Sequence, residues 1–385
     1  MLKITEVKTI VTCPGRNYVL VKIVTDEGIY GVGDATLNGR ELAVAEALRE
    51  HIGPWLIGKN SDNIEDIWQE IFRGTYWRGG PVLMTALSAV DMALWDLKGK
   101  RAGLPVYSLL GGRARNKVRV YMHVHGGNFE EVLEKCRRLL REGCSALRVS
   151  VNVQDLPKGV WEPRSYLTVL PRLMAYLREN LGEKVDLLHD VHERLSPGQA
   201  CQLARTLEPY KLFFLEDPVR PEHKESLRLI RQHTSTLLAA GEHYFTKWDC
   251  LPLIAEQLID FIRVDLCHAG GITEGRKIAV LAEPYYVKTA FHGPSDISPV
   301  GHAANVHLDT ATPNFGIQEY VKLETVLPQT KEVFKGGPVY NAGYVTVPEK
   351  PGLGVDIDEE AAERFPYRRK YLPTLRHTDG SVADW

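Results

Sequence analysis

The sequence lacks the features that mark several common classes of protein. Its six cysteines include no CxxC pair, so neither a zinc site nor a disulfide framework is indicated. No run of about 18 apolar residues occurs, and no internal repeat or low-complexity segment is evident. The first residues contain no basic region followed by an apolar run. We therefore expect a cytoplasmic protein, with reduced thiols and no membrane partner.

Charge of either sign is not in excess. The 385 residues include 47 basic and 49 acidic side chains, which give a formal net charge of -2 and are interspersed along the chain. This pattern offers no electrostatic surface for nucleic acid, and a small-molecule partner is the default expectation. With 44% hydrophobic residues, the chain has enough apolar material for two globular domains.

The amino-terminal third predicts a small α+β unit. Two β-branched runs, Val19 to Val24 and Gly28 to Gly33, flank a polar turn and indicate an antiparallel hairpin. Between Pro81 and Ala102, apolar residues recur at three- and four-residue spacing, which predicts an amphipathic helix that ends at Gly103.

The central part of the chain alternates short apolar runs with helical segments. Such repetition predicts parallel strands with helical crossovers. The predicted strands are 146–151, 185–189, 212–215, 237–240, 261–264 and 287–291. The number of units indicates a closed (β/α) barrel of seven or eight strands, and barrel enzymes place their chemistry at the carboxyl ends of the strands.

The fold class predicted from these patterns is α/β: a TIM-like (β/α)7-8 barrel with an amino-terminal α+β capping domain that the carboxy-terminal tail completes. We place the capping domain at residues 1–112 and the catalytic barrel at 113–325. Residues 326–385, which are rich in proline and glycine, are expected to return to the capping domain.

Three successive predicted strands end in an acidic residue. Asp190, Glu216 and Glu242 are equally spaced along the chain, by about the length of one βα unit. We expect their carboxylates to meet at one height of the barrel mouth. Clustered carboxylates repel one another unless a cation offsets them, and oxygen ligands suit magnesium. The sequence therefore predicts one Mg2+ per subunit at this position.

These residues lie within motifs that resemble the enolase superfamily over nearly the whole chain, most closely its mannonate dehydratase subgroup. The motifs are His189-Asp190-Val191-His192, Leu215-Glu216-Asp217-Pro218, Gly241-Glu242, His268-Ala269-Gly270-Gly271-Ile272-Thr273, His292-Gly293-Pro294-Ser295-Asp296 and Asn314-Phe315-Gly316-Ile317-Gln318-Glu319. The resemblance implies Mg-dependent dehydration of a C5 or C6 aldonate, a sugar acid, to a 2-keto-3-deoxy acid through an enediolate.

The resemblance also implies roles for individual side chains. His192 is expected to be the general acid that protonates the departing β-hydroxyl, since it lies two positions after Asp190 and strand alternation carries it to the same face. Further expected contacts with substrate are Asn38, His123, Arg148, Arg263, Asp296 and Glu319.

The base that removes the α-proton is open between two possibilities. His292 follows one predicted strand and Asp265 ends the preceding one, an arrangement similar to the His-Asp base of galactonate dehydratase and mandelate racemase. Mannonate dehydratases instead use an arginine, which Arg148 would match, with a tyrosine on a long loop. Here that loop, between Asn152 and Tyr166, is much shorter, and Tyr166 is expected to lie on the following helix.

Other activities remain open at this stage. A racemase or epimerase of a hydroxy acid would use the same proton abstraction, and a binding or regulatory homologue would keep the metal without turnover. Which aldonate is used is also open. The resemblance further implies a homo-oligomer, a tetramer or an octamer.

Overall fold

The computed structural model describes residues 2–153 and 156–384. The chain begins with an antiparallel sheet in the order β1–β2–β3, formed by β1 (Ile4–Thr12), β2 (Tyr18–Thr25) and β3 (Tyr30–Asp34). Five α-helices follow: α1 (Glu41–Glu46), α2 (Gly53–Leu56), α3 (Ile64–Arg73), α4 (Pro81–Ala102) and α5 (Val106–Leu109), with one π-helical turn, Ala47–Ile52, between α1 and α2. Sheet and helices enclose their own apolar core.

Helix α4 has the bounds expected from the sequence, but it is not amphipathic. It ends at Gly103, whose φ of 68° is the left-handed conformation that glycine adopts at helix ends. Polar residues such as Ser88 and Asp91 are buried together with the apolar ones. The prediction of a single apolar face was wrong because α4 packs on the small sheet with one side and on the barrel with the other.

Two glycines of β3 allow the close approach of sheet and helix. A Cβ atom at Gly31 would overlap the carbonyl oxygen of Ala93, and one at Gly33 would overlap that of Ala89. The backbone of α4 therefore rests directly on β3, which fixes the helix relative to the sheet.

Eight parallel strands form a closed barrel in the described part of the chain. They are β4 (Val118–Gly126), β5 (Ala146–Val151), β6 (Asp186–Asp190), β7 (Phe214–Glu216), β8 (Leu238–Ala240), β9 (Phe261–Ile262), β10 (Lys288–Thr289) and β11 (Gln318–Glu319). Consecutive strands pair from β4 to β10. Closure comes from the bridge between Thr289 and Phe315 and from the pairing of β11 with β4.

Helices cover the outside of the barrel. They are α6 (Phe129–Arg141), α7 (Pro163–Leu181), α8 (Pro197–Leu207), α9 (Leu227–His233), α10 (Lys247–Ala255), α11 (Gly271–Ala282) and α12 (Pro299–Ala311), with short 3-10 turns at Glu208–Tyr210, Pro221–Ser226 and Glu283–Tyr285. Among the described residues, no helix combines the length and the apolar character needed to cross a bilayer.

The carboxy-terminal tail connects both units. It consists of α13 (Leu323–Val326), α14 (Thr330–Val333), β12 (Phe334–Gly336), β13 (Val339–Asn341), β14 (Tyr344–Thr346), β15 (Val355–Ile357) and α15 (Glu359–Glu363). Its last helix returns to the amino-terminal sheet, where Thr12 Oγ1 donates to the carbonyl of Ala362. The β13–β14 hairpin instead pairs antiparallel with barrel strand β4, through Tyr344 and Arg119.

The architecture confirms the predicted fold class, a TIM-like barrel with an α+β capping domain that the tail completes. The described residues supply eight barrel strands. The boundaries at residues 112 and 325 stay predictions. The tail differs from expectation in one respect, because the β13–β14 hairpin extends the barrel sheet rather than the capping domain.

One buried histidine joins three segments that are distant in the sequence. His307 of α12 accepts a hydrogen bond from the backbone N–H of Tyr107 in α5 at Nδ1, 3.2 Å, and bonds the carbonyl of Leu353 in the tail through Nε2, 3.1 Å. Burial lowers the pKa of His307 from 6.5 to about 4. The neutral imidazole is thus the form that the fold requires.

This geometry predicts a pH-dependent contribution to stability. Below pH 6.5 the unfolded chain takes up a proton that His307 in the folded chain does not accept until about pH 4, so its contribution falls as the pH falls through that window. Between pH 7.5 and pH 5 we expect the free energy of unfolding to drop by about 2 kcal/mol more in the wild type than in His307→Gln.

Urea unfolding at the two pH values measures this difference. The exposed His233 provides the control, and His233→Gln should follow the wild-type pH dependence. If the free energy of unfolding changed equally with pH in the wild type and in His307→Gln, the low pKa assigned to His307 would be wrong.

Candidate active site

A layer of polar side chains lies directly above the apolar floor of the barrel. The floor takes one buried side chain from each strand or the residue beside it: Tyr121, Ala146, Leu188, Phe214, Ala239, Phe261, Ala290 and Ile317. Because side chains two positions apart in a strand share a face, the next inward residues are His123, Arg148, Asp190, Glu216, Arg263, His292 and Glu319. Strand alternation alone therefore brings seven of the predicted site residues together.

Glu242 reaches the same layer by a different route. It lies three positions after Ala239, and the intervening Gly241 has a φ of 142°. A Cβ atom at Gly241 would lie 3.0 Å from the backbone nitrogen of Arg263. Glycine at this position therefore lets β8 pass close to the neighbouring strand and turn Glu242 inward.

The three predicted metal ligands converge. One carboxylate oxygen from each of Asp190, Glu216 and Glu242 lies within 4.8 Å of the others. Glu216 is fully buried, and burial raises its pKa well above the ordinary value in spite of the nearby Arg263. Three carboxylates this close create a strong local demand for positive charge.

Two of these carboxylates keep an oxygen that has no hydrogen-bond donor among the described residues. Glu216 Oε2 and Glu242 Oε2 are buried, and neither accepts a hydrogen bond from the described residues. Orphaned buried carboxylate oxygens are costly unless a cation binds them. A set of three carboxylates with open acceptor positions fits Mg2+, which prefers oxygen ligands and leaves other positions for water or substrate.

Asp190 is held between an arginine and a histidine. Its Oδ2 lies 2.6 Å from Arg148 Nη1 and 2.9 Å from His192 Nε2. Burial would raise the pKa of Asp190, but His192 and Arg148 outweigh burial and lower it. Asp190 is therefore ionised, and the same contacts place His192 beside the predicted metal position.

Arg263 lies between two carboxylates of the polar layer. Its guanidinium is fully buried and bonds Glu216 on one side and Glu319 Oε2, at 2.8 Å, on the other. Its Nη1 also donates to the carbonyl of Ala290. Burial would raise the pKa of Glu319, but Arg263, followed by His292 and His123, lowers it well below the ordinary value.

The histidine and aspartate that the sequence pairs as a base dyad are in contact, while their role stays a prediction. His292 Nδ1 lies 2.7 Å from Asp265 Oδ2, and its Nε2 points toward Glu242 Oε2 at 3.5 Å. Burial would lower the pKa of His292, but Glu242, Glu319 and Asp265 outweigh burial and raise it. The dyad thus faces the carboxylate cluster with Nε2.

A second imidazole lies on the other side of Asp265. His268 Nε2 is 3.8 Å from Asp265 Oδ2, while its Nδ1 contacts Thr85 Oγ1 at 2.8 Å. Thr85 belongs to α4 of the amino-terminal unit, so this helix is linked to Asp265 through the side chain of His268. His268 lies in one of the motifs that carry the family resemblance, but the sequence predicts no role for it.

The expected substrate contacts divide into two groups. His123 bonds Glu319 at 2.5 Å and Arg148 Nη2 at 3.4 Å, inside the polar layer. Asn38 and Asp296 instead form a separate pair at 2.9 Å, with Arg16 3.5 Å from Asp296. All six contacts, including Arg148, Arg263 and Glu319, stay predictions.

Sequence reasoning missed the wall of the cavity that adjoins this layer. A cavity of about 630 Å3 is lined by Arg148, Asp190 and His192 and also by Tyr166 and Arg194. Tyr166 lies on α7, as expected, and its hydroxyl contacts His189 Nε2 at 2.6 Å. Strand alternation predicts that His189 points away from the barrel interior. It does not predict that His189 meets Tyr166 of α7 on that outer side.

Arg263 offers a direct test of the charge balance. Arg263→Met would leave Glu216 and Glu319 buried without their shared cation, and we expect a loss of about 3–5 kcal/mol in the free energy of unfolding. Chemical denaturation measures the change. The matched control is Arg228→Met, which removes an exposed pair with Glu256 and should cost less than about 1 kcal/mol. Equal effects of both substitutions would refute the assigned role.

The carboxylate cluster predicts magnesium uptake without substrate. Calorimetric titration of the purified protein with Mg2+ should detect one site per chain, and Glu242→Gln should weaken binding at least about tenfold because a charged ligand is lost. Glu225→Gln, at an exposed position, serves as the control. Unchanged affinity in Glu242→Gln would place the ion elsewhere.

Family comparisons cover most of the chain. Residues 5–111 match the mandelate racemase/muconate lactonizing enzyme N-terminal domain, and residues 131–361 match the enolase C-terminal domain-like family. A D-mannonate dehydratase of Caulobacter sp. strain K31 is 49% identical over the full length of both chains. A D-galactonate dehydratase family member of Halomonas elongata is 50% identical, again over the full length of both.

Solved structures agree with the sequence relatives. An enolase from Pantoea ananatis, with bound D-gluconate and magnesium, superposes with a TM-score of 0.95 at 44% identity and covers both chains completely. The extent of these matches, together with the carboxylate layer at the barrel mouth, establishes that the chain belongs to the enolase superfamily.

Proposed function

We propose that this protein is a Mg-dependent sugar-acid dehydratase that converts a C5 or C6 aldonate into a 2-keto-3-deoxy acid through an enediolate. The observation that carries the proposal is the convergence of Asp190, Glu216 and Glu242 between two histidines. The full-length relatives named as mannonate and galactonate dehydratases, and the gluconate-bound neighbour, support the substrate class.

Asp190, Glu216 and Glu242 are the residues that would hold the metal. Bound there, Mg2+ supplies positive charge opposite the substrate carboxylate and the enediolate derived from it. The chain adds fixed charges of its own: Arg148 and Arg263 lie beside the same carboxylates. Such preorganised charges stabilise an anion that grows during the reaction, because they need not reorient.

His292 is the proposed base. Its Nδ1 contact with Asp265 leaves Nε2 as the atom that faces the site and accepts the proton. Asp265 is buried and orients the ring, as a carboxylate does in other His-Asp pairs. Nε2 takes the α-hydrogen as the C2–H bond breaks, and the electron pair enters the enediolate.

His192 is the proposed acid. It lies beside Asp190, whereas His292 lies beside Glu242, so the two imidazoles flank the metal position. As the C3–O bond breaks, His192 donates a proton to the departing hydroxyl, which leaves as water. The resulting enol becomes the 2-keto-3-deoxy acid after proton transfer to C3.

A racemase or epimerase is the second candidate function. The same two imidazoles would favour it if His192 returned the proton to C2 instead of protonating the hydroxyl. The relatives' names support dehydration over this alternative.

We also infer a cytoplasmic, homo-oligomeric protein. All six cysteines are free thiols and five are buried, which suits a reducing compartment. Tyr76 and Trp77 are each 81% exposed, and exposed aromatic residues are enriched at protein interfaces. Light scattering after gel filtration would show a tetramer or an octamer, and a monomer would contradict the inference.

The division of labour predicts different losses in two variants. With Mg2+ and an active aldonate in D2O, His292→Asn should lose both α-hydrogen exchange and keto-acid formation, because no base remains. His192→Asn should keep exchange and lose dehydration at least about 100-fold, since general acid catalysis contributes on this scale. Nuclear magnetic resonance of the recovered acid measures exchange, and a keto-acid assay measures turnover.

The control for both is His233→Asn, at an exposed position on α9, which should match the wild type in both assays. Exchange that survives in His292→Asn would move the base to another residue, with Arg148 the first to test. Exchange without dehydration in the wild type would support the racemase instead.

A further inference from the structure

The cavity beside the polar layer extends well past the predicted metal ligands. It is lined by the buried Asp190 and by His192, which we take as its inner end, and by the exposed Lys158, the half-buried Val160 and the half-buried tail residue Leu375, which we take as its outer end. Its volume of about 630 Å3 exceeds what is needed around the reacting carbons alone. An acid held by its carboxylate at the inner end would extend its remaining carbons toward the outer wall.

Arg194 is an unusual residue of that wall. It is half-buried, and its Nε is buried without a hydrogen-bond partner among the described residues. Its guanidinium lies over the ring of Trp161, with Cζ 5.2 Å from the ring centroid. Among the residues that the structure describes, no carboxylate forms an ion pair with it, which distinguishes it from Arg148 and Arg263.

The backbone that carries Arg194 is strained. His192 and Glu193 have φ values of 53° and 64°, a left-handed conformation that residues other than glycine adopt only at an energetic cost. Hydrogen bonds to the end of the neighbouring strand β7 hold this turn, from Val191 N to the carbonyl of Glu216 at 3.0 Å and from Glu193 N to that of Asp217 at 2.7 Å. Strain of this kind is retained where it positions functional side chains.

The aromatic support under Arg194 is rigid as well. The backbone N–H of Trp161 donates to the carbonyl of Arg376 in the tail, at 2.8 Å. The Trp161 ring packs 4.8 Å from that of Tyr166, whose hydroxyl contacts His189. Arg194 is therefore held on a fixed surface, which reduces the entropy lost when a ligand binds it.

The cavity wall has more basic than acidic side chains among its described residues. Among its described lining residues, Asp190 is the single carboxylate, and Arg148 already pairs with it. Arg194 and Lys158 line it as well, and neither forms an ion pair with a carboxylate of the described residues. A ligand that enters this part of the cavity meets donors and positive charge, so oxygen acceptors and anions are favoured there.

We propose that Arg194 recognises the far end of the substrate, and that the site selects six-carbon acids with an oxygen acceptor on the terminal carbon, a carboxylate more strongly than a hydroxyl. The proposal rests on the proposed function, because it places the reacting carboxylate at Asp190, Glu216 and Glu242. It assigns to Arg194 a role in specificity rather than in the proton transfers.

Three acids of the same stereochemistry test it: a hexonate, its 6-deoxy analogue and the corresponding hexarate. Binding is measured by calorimetry with Mg2+ in a His292→Asn background, which keeps the three metal ligands. With Arg194 present we expect the hexarate to bind at least about tenfold tighter than the hexonate, and the 6-deoxy acid at least about fivefold weaker. In Arg194→Gln both ratios should fall below about threefold.

Arg194→Lys should keep part of the hexarate preference, since it retains the charge but loses the planar fork. Arg164→Gln, at an exposed position on α7, is the control and should leave both ratios unchanged. Ratios that persist in Arg194→Gln, or equal weakening of all three acids, would overturn the proposal. Keto-acid formation by the wild type is assayed separately, so that absence of turnover would refute the proposed function without deciding the binding ratios.

Discussion

The site depends on holding several buried carboxylates together at the mouth of one barrel. Asp190, Glu216, Glu242 and Glu319 all lie in a single layer, and each is costly to desolvate alone. The chain offsets part of this cost with Arg263, whose planar guanidinium reaches two carboxylates at once. The offset is incomplete, because Glu216 Oε2 and Glu242 Oε2 accept no hydrogen bond from the described residues. This imbalance is what makes the layer a cation site rather than a closed ion-pair network.

The amino-terminal unit does more than cover the barrel. Its side chains accept hydrogen bonds from backbone N–H groups in the segments that follow β9 and β10. Ser88 accepts from Gly270 at 2.8 Å, Asp91 from Thr273 at 3.0 Å and Asp34 from Ser298 at 2.5 Å. These segments continue directly from Asp265 and His292. Because buried hydrogen bonds of this kind are costly to break, the position of the dyad depends on the contact between the two units.

Much of the site could be predicted from the sequence because its chemistry follows strand periodicity. Acids that end successive apolar runs identified Asp190, Glu216 and Glu242 as one cluster, and the structure brings their oxygens together. The predicted strands were longer than several observed ones, such as β9 and β10, because apolar residues that follow a short strand still pack into the core. Boundaries set by hydrogen bonds cannot be read from hydrophobicity alone.

Other features escaped because they depend on contacts between distant segments. Strand β4 was not singled out, although it carries His123 and closes the barrel with β11. The pairing of the tail hairpin with β4, and the burial of both sides of α4, likewise required the tertiary arrangement. Arg194 gave no sequence signal, since a single arginine after a strand is ordinarily a solvated residue.

These two kinds of feature correspond to two parts of the proposed site. The reacting end is built from strand ends, where register fixes each side chain to its neighbours through the barrel floor. The far wall includes described residues of the β5–α7 connection such as Lys158 and Trp161, a strained turn and the tail, which are joined by contacts such as Trp161 with Arg376. Changes in the wall can therefore alter which acid fits without moving the metal ligands or the dyad. In this architecture, chemistry and specificity reside in different elements of the fold.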